Sequence, residues 1–332
     1  MQDTIIKQFK KLPSAEQLKL IKRLESQIGN ETKLLSFRTG TERPQCLYCK
    51  SFHVIKFGTY SNKSKPRYRC KDCKKTFSNF TGTSVYNVKK KHLWMSFIKL
   101  MLENKSIREI SKQLHLSTAT VFNWRHRALC SFEKTFTREF KGIVETDDVF
   151  LKFNQKGRRK NFKGVESKKR GISDQQVAVM VLADRYRTLD MKTTKLGRIR
   201  RSDLDRVIDK SRLNKDNIIC SDMHPTIEGF VKSLDLPHVQ IKSSANQHVK
   251  DGLYHINKVN SLASELKRWL NRNFINVSTK YLQNYLYLFE MQQIMRNDEN
   301  KLEFFLGHSL RDDRTYDRKK RVEERYEEFL SY

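Results

Sequence analysis

Proline and glycine are scarce: 5 and 12 in 332 residues. That excludes collagen-like, low-complexity and linker-dominated chains. Long apolar runs are also missing. The longest, Val177–Ala183, falls far short of the roughly 20 residues that span a bilayer. The first residues, MQDTIIKQFKKLPS, contain no signal-peptide core. A cytoplasmic protein with no membrane partner, associated with the nucleoid, is therefore expected. Acidic residues are few beside basic ones. Lys plus Arg number 67 and Asp plus Glu 37, a net charge of +30. Such an excess collects polyanions, and nucleic acid is the first candidate.

What is present divides along the chain. Residues 1–40 read as a helical segment, with an apolar stripe at Leu18, Leu20, Ile21 and Leu24. Residues 41–85 lose that period and carry four of the six cysteines. Cys46-Leu-Tyr-Cys49 and Cys70-Lys-Asp-Cys73 are two CxxC pairs. Two close thiolate pairs suit the tetrahedral demand of zinc, and a closed set of four leaves no open position, so the zinc is structural. Lys and Arg crowd the β-type residues between the pairs, giving a basic zinc ribbon. Cys130 and Cys220 read as core or near-surface thiols instead.

Residues 88–135 return to helical periodicity. Ser106 and Glu109 form a capping box. Ile107, Ile110 and Leu114 make one apolar face, and His115-Leu116-Ser117 breaks the pattern. Thr118–Leu129 then resumes with Val121, Trp124 and Ala128 inward. Two short helices about a three-residue turn fit a helix-turn-helix. Thr118, Thr120, Asn123, Arg125 and Arg127 are expected on its outward side, for base edges and phosphates.

Residues 141–290 alternate strands with helices. Gly142–Phe153 is an apolar, β-branched strand carrying Glu145, Asp147 and Asp148. Side chains alternate, so Glu145 and Asp147 share a face while Asp148 takes the other; both aspartates cannot ligate one metal. Val177–Arg185 and Thr188–Leu196 read as a hairpin, 202–211 as a helix, and Asn217–Ser221 as a short strand ending at Asp222. A helix at Pro225–Leu234, a strand at His238–Ile241 and a long helix at Gly252–Asn271 follow. The order β-β-β-α-β-α-β-α, with acids in strand one and at the end of strand four, matches an RNase H-like fold. In that fold the two strands are neighbours. On the long helix Asn260 and Lys267 are seven apart and share a face, whereas Glu265 does not. Between strands one and two, Lys152–Arg170 holds nine Lys or Arg and one Glu, and Arg158, Arg159 and Lys160 are expected on DNA. Residues 291–332 read as a charged helical tail. The fold class is α+β and multi-domain: helical segment, zinc ribbon, helix-turn-helix, then an RNase H-like mixed sheet flanked by helices.

At this point the chain resembles the zinc-ribbon insertion-sequence transposases of the DDE superfamily, in the branch with an Asp-Asp-Asn-Lys set. YRCKDCKKTFS followed by TGTS, the paired helices, ETDDVF, IICSD and HINKVNSLASELKRWL carry the resemblance, from Cys46 to Leu270. It implies Asp147, Asp222 and Asn260 as ligands of catalytic Mg²⁺ or Mn²⁺, and Lys267 as the basic residue beside them. Asp148 stands where many relatives have Glu, and Asn260 where the wider superfamily has Glu. It further implies cleavage and transfer of DNA strands, terminal inverted repeats and target DNA as partners, and a homo-oligomer on DNA. Two other readings compete. A non-catalytic, domesticated DNA-binding regulator is favoured by the uncharged Asn260. Another RNase H-like nuclease, such as a junction resolvase, is disfavoured by the ribbon and paired helices.

Overall fold

The computed structural model describes residues 2–13, 15–21, 24, 34, 44–60, 65–133, 138–156, 170–242, 249–275, 277–311 and 314–332. They fall into two compact units: Met1–Trp124 with Asn300–Tyr316, and Arg125–Glu299 with Asp317–Tyr332. Among the described residues no helix is long and apolar enough to cross a membrane.

The first unit opens with α1 (Gln2–Lys10). Leu18, Ile21 and Leu24 of the expected stripe are exposed. Next comes a three-stranded antiparallel sheet, β1 (Val54–Tyr60), β2 (Lys65–Cys70) and β3 (Thr76–Ser78). Helices α2 (Trp94–Leu102) and α3 (Ile107–Leu114) follow, then α4 (Thr118–Cys130), which begins in this unit and ends in the other. Trp94, Phe97 and Trp124 pack ring on ring at 5.2–5.5 Å. The capping box forms as expected: Ser106 Oγ accepts the Glu109 N–H, and Glu109 accepts the Ser106 N–H. His115 closes α3 in the left-handed region at φ 49°.

The second unit is built on a five-stranded sheet of order β6-β5-β4-β7-β8. Its strands are β4 (Ile143–Lys152), β5 (Gln176–Asp184), β6 (Leu189–Leu196), β7 (Ile218–Asp222) and β8 (His238–Ile241). β4, β5 and β6 are antiparallel neighbours, while β7 and β8 run parallel to β4. This is the RNase H-like sheet, its first and fourth strands side by side. Both faces are covered, which explains the apolar runs. One face packs Val149, Val179, Val181 and Cys220 against Val259, Leu262 and Leu266 of α7 (Asn257–Phe274) and Leu282 and Leu286 of α8 (Thr279–Ile294). The other packs Val144, Met180, Leu182 and Ile219 against α5 (Arg201–Val207) and α6 (Pro225–Ser233). Each such side chain contributes roughly 1.5–3 kcal/mol, so α7 is held by its 259–262–266 stripe.

Three expectations shift. The helix expected from 202 to 211 stops at Val207 and resumes as a 3-10 turn at Lys210–Arg212. The long helix starts at Asn257 rather than Gly252, because Gly252 takes φ 65° and Lys250 pairs with Tyr254 in a bridge. The stretch from 291 on is divided. α9 (Lys301–Arg311) lies in the first unit, where Ser309 bonds Ser84 and Trp94; α10 (Thr315–Lys320) spans the division, and α11 (Val322–Ser331) lies in the second.

Candidate metal and nucleic-acid sites

The four ribbon cysteines converge. Their sulfurs all lie within 4.8 Å of one another, with Cys46 to Cys73 at 3.6 Å and Cys49 to Cys70 at 3.5 Å. No disulfide joins them. Zn–S bonds of about 2.3 Å in a tetrahedron put sulfurs about 3.8 Å apart, so the cluster fits a zinc ion. The two CxxC turns share one design. The Cys46 N–H bonds the Ser51 carbonyl, as the Cys70 N–H bonds that of Lys75. Lys50 and Lys74, each following its second cysteine, both take φ 60°. Burial tends to raise the Cys70 thiol, yet the amides of Cys73 and Asp72 bring it down to about 6, which favours a thiolate.

In the sheet of the second unit, Glu145 is in register with Cys220 across the parallel β4–β7 pair. Two residues further along each strand stand Asp147 and Asp222, so the acids expected to meet are level with each other. Burial first, then Asp222 and Asp148, push the Asp147 carboxyl from 3.8 up to about 7, against the Asp148 N–H it accepts at 2.8 Å and the positive Lys267. A half-buried carboxyl so crowded by like charge is one a divalent cation relieves. Asp148 is also raised, by burial first, with His224, Arg198 and Lys267 opposing. Among the described residues the four cysteines are the one group of three or more Cys, His, Asp or Glu whose ligand atoms come this close.

α7 runs beside this pair. Asn260 and Lys267 are both exposed on it. Lys267 lies near enough to Asp147 and Asp148 to lower both; among the described residues no hydrogen bond joins the Asn260 side chain to either aspartate. The helix N-terminus is tied to β4, since Glu145 Oε2 accepts the Lys258 N–H at 2.8 Å. Beside Lys267 opens a cavity of about 250 Å³, where Lys152, Asn154 and Asn271 line an apolar floor of Leu270 and Leu282.

On α4, Thr118 and Asn123 are exposed and Thr120 and Arg127 half-buried. Arg125 is not outward: it is 2% exposed, with its guanidinium over the Phe274 ring at 5.6 Å. The reason is periodicity. Position 125 is four beyond Val121 and three before Ala128, on the buried stripe. Arg158, Arg159 and Lys160 lie outside the described residues, as does most of the Lys152–Arg170 stretch. Sequence reasoning missed Arg198, which lies near enough to Asp148 to lower it, and the part played by Glu145. The latter had a signal: a carboxylate on the same strand face as Asp147.

Residues 139–292 match the family described as the ISXO2-like transposase domain. An uncharacterized protein in transposable element ISH50, from Halobacterium salinarum, is 27% identical over 283 residues, covering 81% of this chain and 90% of its own length. Two solved structures also align, a pre-cleavage Mos1 transpososome and a Mos1 transposase paired-end complex with left transposon end. Their identities are 13% and 14%, over 71% of this chain and 78% and 77% of theirs, with TM-scores of 0.27 and 0.25. That likeness is too loose to carry any residue of the site.

Proposed function

We propose that this chain, whose residues 139–292 match the ISXO2-like transposase domain, is an insertion-sequence transposase of the DDE superfamily that binds the terminal inverted repeats of its element and cleaves and joins DNA strands there. The observation that carries this reading is the level placement of Asp147 and Asp222 on adjacent parallel strands, with the Asp147 carboxyl pushed to about 7.

Asp147 and Asp222 would hold Mg²⁺ or Mn²⁺, with the Asn260 amide oxygen as an uncharged third ligand. The bound cation supplies Lewis-acid stabilisation of the attacking and leaving oxygens. Water attacks the phosphorus at the element end, the 3′ oxygen leaves, and the strand ends in a 3′-OH. That hydroxyl would then attack a target phosphorus, whose own 3′ oxygen leaves and takes a proton, so that the element's 3′ end is joined to the target's 5′ phosphate. Lys267 holds a phosphate oxygen beside the acids, and the cavity lined by Lys152 and Asn271 receives the neighbouring backbone. In the first unit the cysteines hold structural zinc. The helices about His115-Leu116-Ser117 act as a helix-turn-helix, reading bases through Thr118, Thr120 and Asn123, while Arg127 meets phosphate. Arg158, Arg159 and Lys160 add backbone contact. Of the sequence-derived limits, 1–40, 41–85, 88–135 and 141–290 are kept as a division of labour, while 291–332 is not a domain of its own because its helices divide between the two units. Pairing two ends calls for a homo-oligomer on DNA.

The test is an end-joining assay with a labelled inverted-repeat duplex and a supercoiled target, in Mg²⁺ or Mn²⁺, beside a scrambled end. Joined product from the true end alone is expected. Tight binding to the true end without cleavage in either metal would instead leave the non-catalytic regulator, the reading that the neutral Asn260 favours.

A further inference from the structure

Glu145 is fully buried, 0% exposed, two residues before Asp147 on the same strand face. A carboxylate that far from water needs compensation, and three polar groups surround it. The N-terminus of α7 is the first: Glu145 Oε2 accepts the backbone N–H of Lys258 at 2.8 Å and of Val259 at 3.4 Å. His255 is the second, its Nδ1 3.2 Å from Oε1. Arg185 is the third, with Nε 3.9 Å from Oε1 and Nη2 3.3 Å from the far ring nitrogen of His255. The same guanidinium donates to the Leu253 carbonyl at 2.5 Å, and the Lys258 ammonium bonds the Asp184 carbonyl at the end of β5. Each group ties the segment 253–259 to the β4–β5 ladder, at the point where α7 begins.

The consequence is axial. A helix rises about 1.5 Å per residue and a strand about 3.3 Å. Pinned at Lys258 opposite Glu145, α7 carries Asn260 about 3 Å along its axis, while Asp147 stands about 7 Å along β4. Lys267 lies about 13 Å along, so its long side chain reaches back toward the acids. Packing of Val259, Leu262 and Leu266 chooses the helix face but tolerates sliding, because an apolar contact is non-directional. The Lys258 and Val259 N–H bonds to Glu145 Oε2 are directional, while His255 Nδ1 and Arg185 Nε stand against Oε1 without hydrogen-bond geometry. A slip of one turn, about 5.4 Å, would carry Asn260 and Lys267 that far along β4 relative to Asp147.

We propose that Glu145, with His255 and Arg185, is the positioning device of the metal site: it fixes the register of α7 along β4 and so sets Asn260 and Lys267 against Asp147. This rests on the transposase reading. Glu145 touches no reacting atom.

The test compares wild type, Glu145→Ala, Glu145→Gln and His255→Gln, full chains with zinc. Single-turnover cleavage of an element-end duplex gives rate, DNA affinity and the Mg²⁺ concentration for half-activation. Hydrogen exchange reports residues 253–262 and strands β4 and β5. Glu145→Ala is expected to slow cleavage at least 100-fold and raise the Mg²⁺ requirement severalfold, with end affinity within twofold. Exchange at Lys258 and Val259 should rise. Glu145→Gln keeps an oxygen for those amides and should recover tenfold or more; His255→Gln should slow cleavage about tenfold with the sheet still protected. Wild-type rate and metal requirement in Glu145→Ala overturn the proposal. Should Glu145→Ala unprotect the whole sheet, His255→Gln decides, and a wild-type rate there also overturns it. Loosened α7 amides beside a wild type that cuts no DNA would make Glu145 a structural anchor only, and would separate that failure from the failure of the positioning claim.

Discussion

Replacing Asp147 with asparagine is predicted to stabilise the second unit while abolishing cleavage. The Asp147 carboxyl is raised from 3.8 to about 7 by burial first, then by Asp222 and Asp148. A group whose folded pKa lies above its unfolded value binds more protons folded than unfolded. Its contribution is favourable below pH 4 and is lost as pH climbs through 7. At about 1.4 kcal/mol per unit, roughly three units make about 4 kcal/mol of destabilisation at pH 8 and about 1.5 kcal/mol at pH 5. Asp147 is partly exposed, and solvent screening trims the pH 8 figure to roughly 2–4 kcal/mol. Asparagine has the same shape and keeps an oxygen to accept the Asp148 N–H, bonded at 2.8 Å in the parent. Native-state hydrogen exchange of the β4 and β5 amides, in zinc-containing buffer free of Mg²⁺, reads the local stability. Asp147→Asn should gain roughly 2–4 kcal/mol at pH 8 and less than half of that at pH 5. A neutral or destabilising effect at pH 8, or a gain that does not grow with pH, would refute the reasoning.

Four further outcomes follow from other parts of the molecule. Cys70→Ser should lose the zinc, measured by atomic absorption, and weaken end binding about 100-fold or more, while β4–β5 exchange is unchanged. His126 is buried, and burial first, then Arg125, Lys319 and Lys280, lowers it to about 3. The unfolded chain takes up the proton near 6.5, so stability falls as pH drops below that value, by about 2 kcal/mol at pH 5. His126→Phe keeps the ring stack on Tyr281, at 3.8 Å in the parent, and should flatten the drop in Tm between pH 7 and 5. Arg125→Ala should lower Tm through lost packing over Phe274 and leave end specificity alone. Asn123→Ala, in contrast, should cost about tenfold in affinity for the true end and little for scrambled DNA.

Much of the second unit is legible in the chain because its signals are local. Alternation separates Asp147 from Asp148, Asp222 ends an apolar strand, and the polar break at Tyr186-Arg187 marks the hairpin between β5 and β6. Pairing β4 with β7 is a non-local fact, reached through the order of elements rather than through any residue. The cysteine spacing announces the metal cluster, but the matched left-handed Lys50 and Lys74 appear only in three dimensions. At Arg125 chemistry and period disagree: arginine suggests a surface, whereas its spacing from Val121 and Ala128 marks the buried stripe. Glu145 stayed hidden for a related reason. A buried acid on a catalytic strand reads as a ligand or a burden, and its partners His255 and Arg185 are more than 35 positions away. The start of α7 at Asn257 is equally non-local, since what caps it is that side chain of β4.

The most direct measurement is cleavage of a labelled element-end duplex by wild type, Asp147→Ala, Asp148→Ala and Asp222→Ala, with and without Mg²⁺ or Mn²⁺. The account predicts metal-dependent cutting by wild type, loss of at least a thousandfold in Asp147→Ala and Asp222→Ala, and a smaller loss in Asp148→Ala. Cutting that survives Asp147→Ala, or that proceeds without added metal, would contradict it.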